Sequence, residues 1–491
     1  MSPYIIVTIV IAYFVLLILI SHFTSRKANN DTFFTGNRKS PWFVVAYGMI
    51  GASLSGVTFM SVPGYVESSQ FTYFGVVIGY MIGYAVIALI LLPLYYKYNL
   101  TSIYTYLGNK FGAGSQKTGS SFFIISRLMG SALRMYLVVF VLYEFVFKAI
   151  GVPFWALALF FIILILIYTF KGGIKTIIWT DTLQTTFMLL ATIITIIFLL
   201  KDMDISFIDM MKQAGDKGYT KMFETDWRSN NFFVKQIVSG AFITIAMTGL
   251  DQDMMQKNLT CKSLKEAQKN MFSFSICILI VNFLFLALGV ALLFYSSKTG
   301  FALPEKSDSI FAAVAQNLGP TTWIIFIIGL VAAGYSSADG TLTSLTTTFC
   351  FDILQFDKDT KHNEKQKTRI RKITHVAFAA IYFLIILVFK PFHTDSLIKT
   401  LFDIAGYTYG PLLGLFCFGL FVKNRKPNDK IVPFIAILSP IISYLLNIYS
   451  EVLFNGYKFG FEILIVNGLL TFIGLLIFSK KIVAKKKDST I

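Results

Sequence analysis

Val331–Leu345 reads VAAGYSSADGTLTSL, a run of small and hydroxyl residues inside an otherwise apolar stretch. TTWIIFIIGL precedes it and TTTFCFDIL follows, so Ser336, Ser337 and Asp339 fall at the depth of a membrane. Polar groups are costly there unless they face a partner or a ligand. On a helix, Ala333, Ser336, Ser337 and Gly340 recur at spacings of three and four and share one face. Two hydroxyls and a freed backbone carbonyl can therefore converge on a small cation. The expected ion is sodium.

The composition around this stretch sets the class. Of 491 residues, 55% are hydrophobic and 14% charged, and the mean hydropathy is +0.68. A soluble chain of this length carries roughly a quarter charged residues, so the bilayer is the solvent here. The net charge of +17 would suit a nucleic-acid surface in a soluble domain, but Lys and Arg sit in short loops between apolar runs. They report topology, and no nucleic-acid partner is expected. Cys261, Cys277, Cys350 and Cys417 form no CxxC pair and read as small hydrophobes. The four histidines form no ligand spacing, so a membrane-embedded enzyme finds no His or Cys grouping to use.

A bilayer core of ~30 Å needs about 20 helical residues. That ruler predicts an all-α membrane protein with about 13 spans, at 3–22, 41–68, 72–98, 117–148, 152–170, 175–200, 232–257, 272–296, 321–355, 373–391, 396–422, 431–449 and 458–480. The first run is long enough to span and is followed by a basic loop, so it is read as a retained helix rather than a cleaved leader. Loops after odd-numbered spans, with the tail KKIVAKKKDSTI, hold most of the basic residues. They are expected in the cytoplasm, with the N-terminus outside and the C-terminus inside.

Three spans carry further chemistry. In the second, GASLSG and then Pro63 interrupt the run. Either the helix is broken with free carbonyls at mid-depth, or a small-residue face packs closely. The fourth holds Arg127 and Arg134, seven apart on one face. Arg127 is near enough to the cytoplasmic side to snorkel, whereas Arg134 needs a carboxylate opposite it. That carboxylate belongs either to Asp181 or Glu144 in a structural pair, or to a substrate. Glu144 and Lys148 also stand four apart as a helix-end pair. The sixth span places Asp181, Thr180, Gln184, Thr185 and Thr186 together, a density that suits the wall of a water-filled path.

GLDQDMMQKNLTCKSLKEAQKN (249–270), GGIKTIIWTDTLQ (172–184) and YGPLLGLFCFGLF (409–421) resemble signatures of the sodium/solute symporter family. That family includes carriers for sugars, proline, pantothenate, iodide and sialic acid, and the likeness runs nearly the whole length. The resemblance implies a leucine-transporter-type 5+5 inverted repeat. The first repeat is expected at 41–200 and the second at 232–422. An extra helix and loop (1–40), an extracellular loop (201–231) and two C-terminal helices with a basic tail (423–491) complete the expected layout. The resemblance also implies a sodium site made of Gly51, Leu54, Ala333, Ser336 and Ser337.

Within the family the likeness is strongest to sialic acid transporters. By that resemblance Ser55, Thr58 and Arg134 bind substrate, Arg134 holding its carboxylate. The subgroup's second sodium site matches at Asp181, but its two further serines are replaced by Asp339 and Gly340. Asp181 and Asp339 are therefore expected to hold a second sodium or a coupled proton, unless a nearby Lys pairs with them. Val57, Thr58 and Met247 stand where sugar carriers keep Glu, Gln and a gating tyrosine, which disfavours a neutral hexose. In the third span only Tyr80 lies near where an amide is expected. The implied function is sodium-coupled symport of sialic acid or a related carboxylated sugar across the cell (inner) membrane. Another organic anion or a neutral sugar is the alternative, and a transporter-like sensor a remote one.

Overall fold

In the computed structural model, which describes residues 3–26, 28–390 and 397–481, the second span comes apart where its sequence is weakest. Trp42–Ser53 is helical, Leu54 and Ser55 leave helical geometry (ψ of 80° and 176°), and Gly56–Ser69 resumes at 59° to the first half. Side chains this small cannot shield the backbone or fix a rotamer, so the helix yields here. Pro63 is carried inside the second half without a further break. The seventh span breaks likewise. Phe233–Gly249 meets Gln252–Asn258 at 71°, and Asp251 caps the second half by accepting from the Met254 amide at 3.1 Å.

Eight unbroken helices are long and apolar enough to cross: Tyr4–Thr24, Tyr73–Lys97, Phe154–Gly172, Ile174–Asp202, Leu264–Thr299, Pro320–Ile353, Glu364–Phe389 and Leu397–Phe421. With the two bent pairs, the 30-residue helix Ala113–Leu142 and the shorter Val432–Ile448 and Ile463–Ile477, the described residues supply thirteen candidate spans. Two starts fall earlier than the hydropathy ruler put them. Leu264 and Glu364 begin polar turns capped by Ser263 and Asn363, which carry the eighth and tenth helices past the apolar run. The expected edges at 391 and 396, and the basic tail from 482, lie outside the described residues.

Connecting segments are more ordered than plain loops. Asn30–Thr35, Thr105–Lys110, Phe207–Asp216 and Ile310–Asn317 are helical. One departure from an all-α fold is a two-strand ladder, Arg425–Pro427 against Ser479–Lys481, where the segments leaving two spans run side by side. The thirteenth helix accordingly stops at Ile477 rather than 480.

The basic loops lie on one face, as their shared sign requires. Asn30 donates to Glu364 at 3.0 Å and accepts from Arg371 at 3.1 Å. Arg38 donates to the Asn99 and Leu100 carbonyls at 3.2 and 3.1 Å. Asp429 accepts from the amides of Gly114 and Ser115, both at 2.7 Å, and so covers the positive N-terminal end of the fourth helix. These contacts tie the loops after the first, third, ninth and eleventh spans together.

The core is the ninth span. From Leu330 to Thr348 it is buried, packed chiefly against the fourth and sixth spans. The third and seventh spans approach at backbone distance through Gly79 and Gly240, where a Cβ would overlap the Ile237 and Val76 carbonyls respectively.

Candidate functional site

The break in the second span and the hydroxyl run of the ninth meet. The Ser336 hydroxyl lies 2.8 Å from the Gly51 carbonyl and 3.1 Å from the Ala333 carbonyl, fully buried. Gly51 ends the last turns before the break, so its carbonyl has no continuing helix to serve. Its amide donates to the Thr185 hydroxyl at 3.0 Å, which fixes the second span against the sixth. Gly51, Ala333 and Ser336 thus converge as three oxygens, with Leu54 buried at the break itself. Ser337, one residue on, turns its hydroxyl towards Arg134, which donates to it at 3.3 Å.

A cleft of about 650 Å³, counting its open mouth, begins directly beside these oxygens. Leu54, Ser55 and Thr58 form one wall, and Tyr73, Tyr80 and Tyr84 of the third span another. Met247 and Thr248 line it from the seventh span, Phe402 closes it from the eleventh, and Arg134 reaches it from the fourth. Ser55, Thr58 and Arg134, the three expected substrate contacts, therefore share one cavity. The structural pairs weighed for Arg134 are not formed. Glu144 is held by Lys148 at 2.9 Å, and Asp181 by Lys257 at 2.9 Å. Among the described residues no carboxylate lies within ion-pair distance of Arg134.

Arg127 corrects its sequence reading. It does not snorkel to water but is buried, donating from Nε to Thr341 at 3.0 Å and pairing with Asp251 (3.5 Å) and Asp253. Asp251 also accepts from the Tyr409 hydroxyl at 2.6 Å. Lys257, one helical turn beyond Asp253, lies 3.7 Å from it while holding Asp181. Asp339 accepts from the Tyr168 hydroxyl at 3.0 Å and from the Gly340 amide at 2.6 Å. This network joins the fourth, fifth, sixth, seventh, ninth and eleventh spans, and its Arg127 also lines the cleft. The sequence reading quoted GLDQDMMQKN as a motif but assigned no role to Asp251, Asp253 or Lys257. Three charges within seven residues, in a span otherwise apolar, were the available signal.

The polar stripe of the sixth span is buried, and both polar atoms of the Gln184 side chain lack a protein hydrogen-bond partner. Thr180, Gln184 and Thr185 are fully buried, and Thr186 shares a hydrogen bond of 3.1 Å with Tyr47. Cys261, Cys277, Cys350 and Cys417 are free thiols.

The profile of the sodium:solute symporter family matches residues 33–428, which include both broken helices and every residue of the oxygen cluster and cleft named above. The chain belongs to that family. Its relatives include the sodium/sialic acid symporter NanT of Aliivibrio fischeri, 26% identical over 86% of this chain and 83% of the relative. The sodium/sialic acid symporter SiaT of Proteus mirabilis is 26% identical over 89% and 88% respectively. Among solved structures, a substrate-bound, outward-open Na⁺-coupled sialic acid symporter superposes with a TM-score of 0.81, covering 97% of this chain and 99% of that one at 22% identity. The fold is therefore the leucine-transporter type, with the breaks at Leu54–Ser55 and Leu250–Asp251 in corresponding places of its two repeats. As a family member the chain is a multi-pass membrane symporter that couples sodium to a small solute.

Proposed function

We propose that this symporter carries a sialic acid or a closely related carboxylated sugar inward with sodium. One observation carries the reading: Arg134 lines the cleft and, among the described residues, has no carboxylate within ion-pair distance. A buried guanidinium without a counter-charge is costly, and a substrate carboxylate supplies one in the bidentate geometry arginine prefers. Ser55 and Thr58 then meet the sugar's hydroxyls on the unwound second span, and Tyr73, Tyr80 and Tyr84 offer rings and hydroxyls opposite.

Sodium is held between Gly51, Leu54, Ala333, Ser336 and Ser337. Neutral oxygens suit a hard monovalent cation and bind it weakly enough to release it. The basic loops face the cytoplasm of the cell (inner) membrane, with the N-terminus outside and the C-terminus inside. The membrane potential then contributes about 2.3 kcal/mol per charge per 100 mV to inward transport. Residues 41–200 and 232–422 form the two repeats that move against each other, with 1–40, 201–231 and 423–491 outside them.

A second reading, another small organic anion on the same Arg134, is favoured by the third span, which offers tyrosines rather than an amide. Uptake into proteoliposomes separates the two. Labelled sialic acid should accumulate under an inward sodium gradient and not without it, while hexose and lactate stay at background. Accumulation of lactate in preference to sialic acid would transfer the assignment to the second reading.

A further inference from the structure

We propose that Lys257 is the resident cation of the second ion site, so that only one sodium, the one at Ser336, is bound and carried. The proposal rests on the sodium reading of the Ser336 site. It addresses the place between the sixth and ninth spans where the resemblance puts a second sodium, on Asp181 and on two residues that here are Asp339 and Gly340.

The residues present do not fit that ion. Asp181 is already paired through one oxygen, its Oδ2 2.9 Å from the Lys257 ammonium, leaving only the buried Oδ1 without a partner, and both side chains are about 1% exposed. Asp339 offers two oxygens, but one accepts from Tyr168 and the other from the backbone amide of Gly340. At 340 the hydroxyl is missing and so is the room for one. A Cβ there would overlap the Asp253 carboxylate, which Arg127 and Lys257 hold in place. The seventh span therefore fills, with Asp253 and Lys257, the volume that a metal ion and a serine would need. Lys257 also lies in the field of Asp339. A sodium ion placed beside the ammonium would meet a like charge in a site from which water is excluded. A lysine fixed to the backbone by a four-carbon stem neutralises the carboxylate permanently, and no ion has to be loaded or released there.

The test is equilibrium binding of radioactive sodium to the purified full-length chain, without substrate. Wild type should bind one sodium per chain with a Hill coefficient of about one, and Ser336→Ala should lose it. Asp181→Asn should leave the count at one. Lys257→Met, which strips the ammonium from Asp181 and Asp253, should raise the count towards two. If that variant does not fold, the charge-neutral pair Asp181→Asn with Lys257→Met should fold and bind one. Two sodium ions on wild type, or a count that falls in Asp181→Asn, would overturn the proposal. Absence of any bound sodium would refute the Ser336 site itself, a separate failure.

Discussion

Arg127 and Arg134 stand two turns apart on the same face of the fourth span, and the same substitution at each should fail differently. Arg134→Gln removes a buried guanidinium that, among the described residues, pairs with no carboxylate. No charge is orphaned, so the thermal midpoint in detergent should stay where it is or rise slightly. Binding should suffer instead. Two charge-assisted hydrogen bonds to a substrate carboxylate, at ~1.5–3 kcal/mol each, make about 3–5 kcal/mol, or a KM raised at least ~100-fold. The Ser337 hydroxyl would be released at the same time. Losing one hydrogen bond worth ~0.5–1.5 kcal/mol should tighten sodium binding in the absence of substrate by about threefold to tenfold. Arg127→Gln leaves Asp251 and Asp253 buried with one cation fewer, and breaking such a pair costs ~3–5 kcal/mol. It should lower the thermal midpoint by several degrees. The assays are fluorescence-detected thermal unfolding of both variants and sodium-driven uptake over a range of substrate concentrations. A KM for Arg134→Gln within threefold of wild type, or equal destabilisation by the two substitutions, would refute the division of labour drawn here.

Ser336→Ala deletes one oxygen from the cation site and leaves the Gly51 carbonyl without its hydroxyl partner; half-saturating sodium for uptake should rise tenfold or more, while substrate KM at saturating sodium changes less than threefold. Gly240→Ala drives a Cβ into the Val76 carbonyl and should prise the third span from the seventh, at about 1–3 kcal/mol, read as a lowered thermal midpoint. Asp352 accepts from Ser102 on one oxygen and from Gln116 at 2.7 Å and Thr105 at 3.4 Å on the other, so Asp352→Asn, which replaces one of those oxygens with an NH2, sets a donor against at least one of these donors. It should cost ~2 kcal/mol in thermal unfolding and leave sodium affinity unaltered.

Hydropathy and small-residue spacing carried most of the architecture. Spans are fixed by a physical length, and that length does not depend on tertiary contacts, so the long apolar helices were legible; their ends were not, because a capped polar turn prolongs a helix for reasons hydropathy does not weigh. The meeting of the Gly51, Ala333 and Ser336 oxygens was legible because Ala333 and Ser336 share a helix face and GASLSG weakens its own helix. What stayed hidden was pairing. Nothing in the one-dimensional order says that Lys257 reaches Asp181 rather than water, or that Arg127 turns inward to Asp253 while Arg134 does not. The rule that charges at mid-depth find partners is general; which partner they find is decided by the 71° bend at Leu250–Asp251, which swings Asp251, Asp253 and Lys257 into the charged network.

The position of Arg134, between the cleft and Ser337, gives the two ligands of this symporter a way to help each other. On the reading above, Arg134 has two claimants for its hydrogen bonds, the Ser337 hydroxyl and the substrate carboxylate. With no substrate in the cleft it rests on Ser337 and places a positive charge beside the cation oxygens, which disfavours sodium. A carboxylate that takes up the guanidinium both neutralises that charge and returns the hydroxyl to the ion. The coupling is reciprocal, as any linkage must be: whatever factor substrate adds to sodium affinity, sodium adds to substrate affinity. On the proposal above Lys257 takes no part in this exchange, since its ammonium lies at Asp181. On that proposal the chain keeps one fixed cation for the stability of the charged network and one exchangeable cation, between Ser336 and Gly51, for transport.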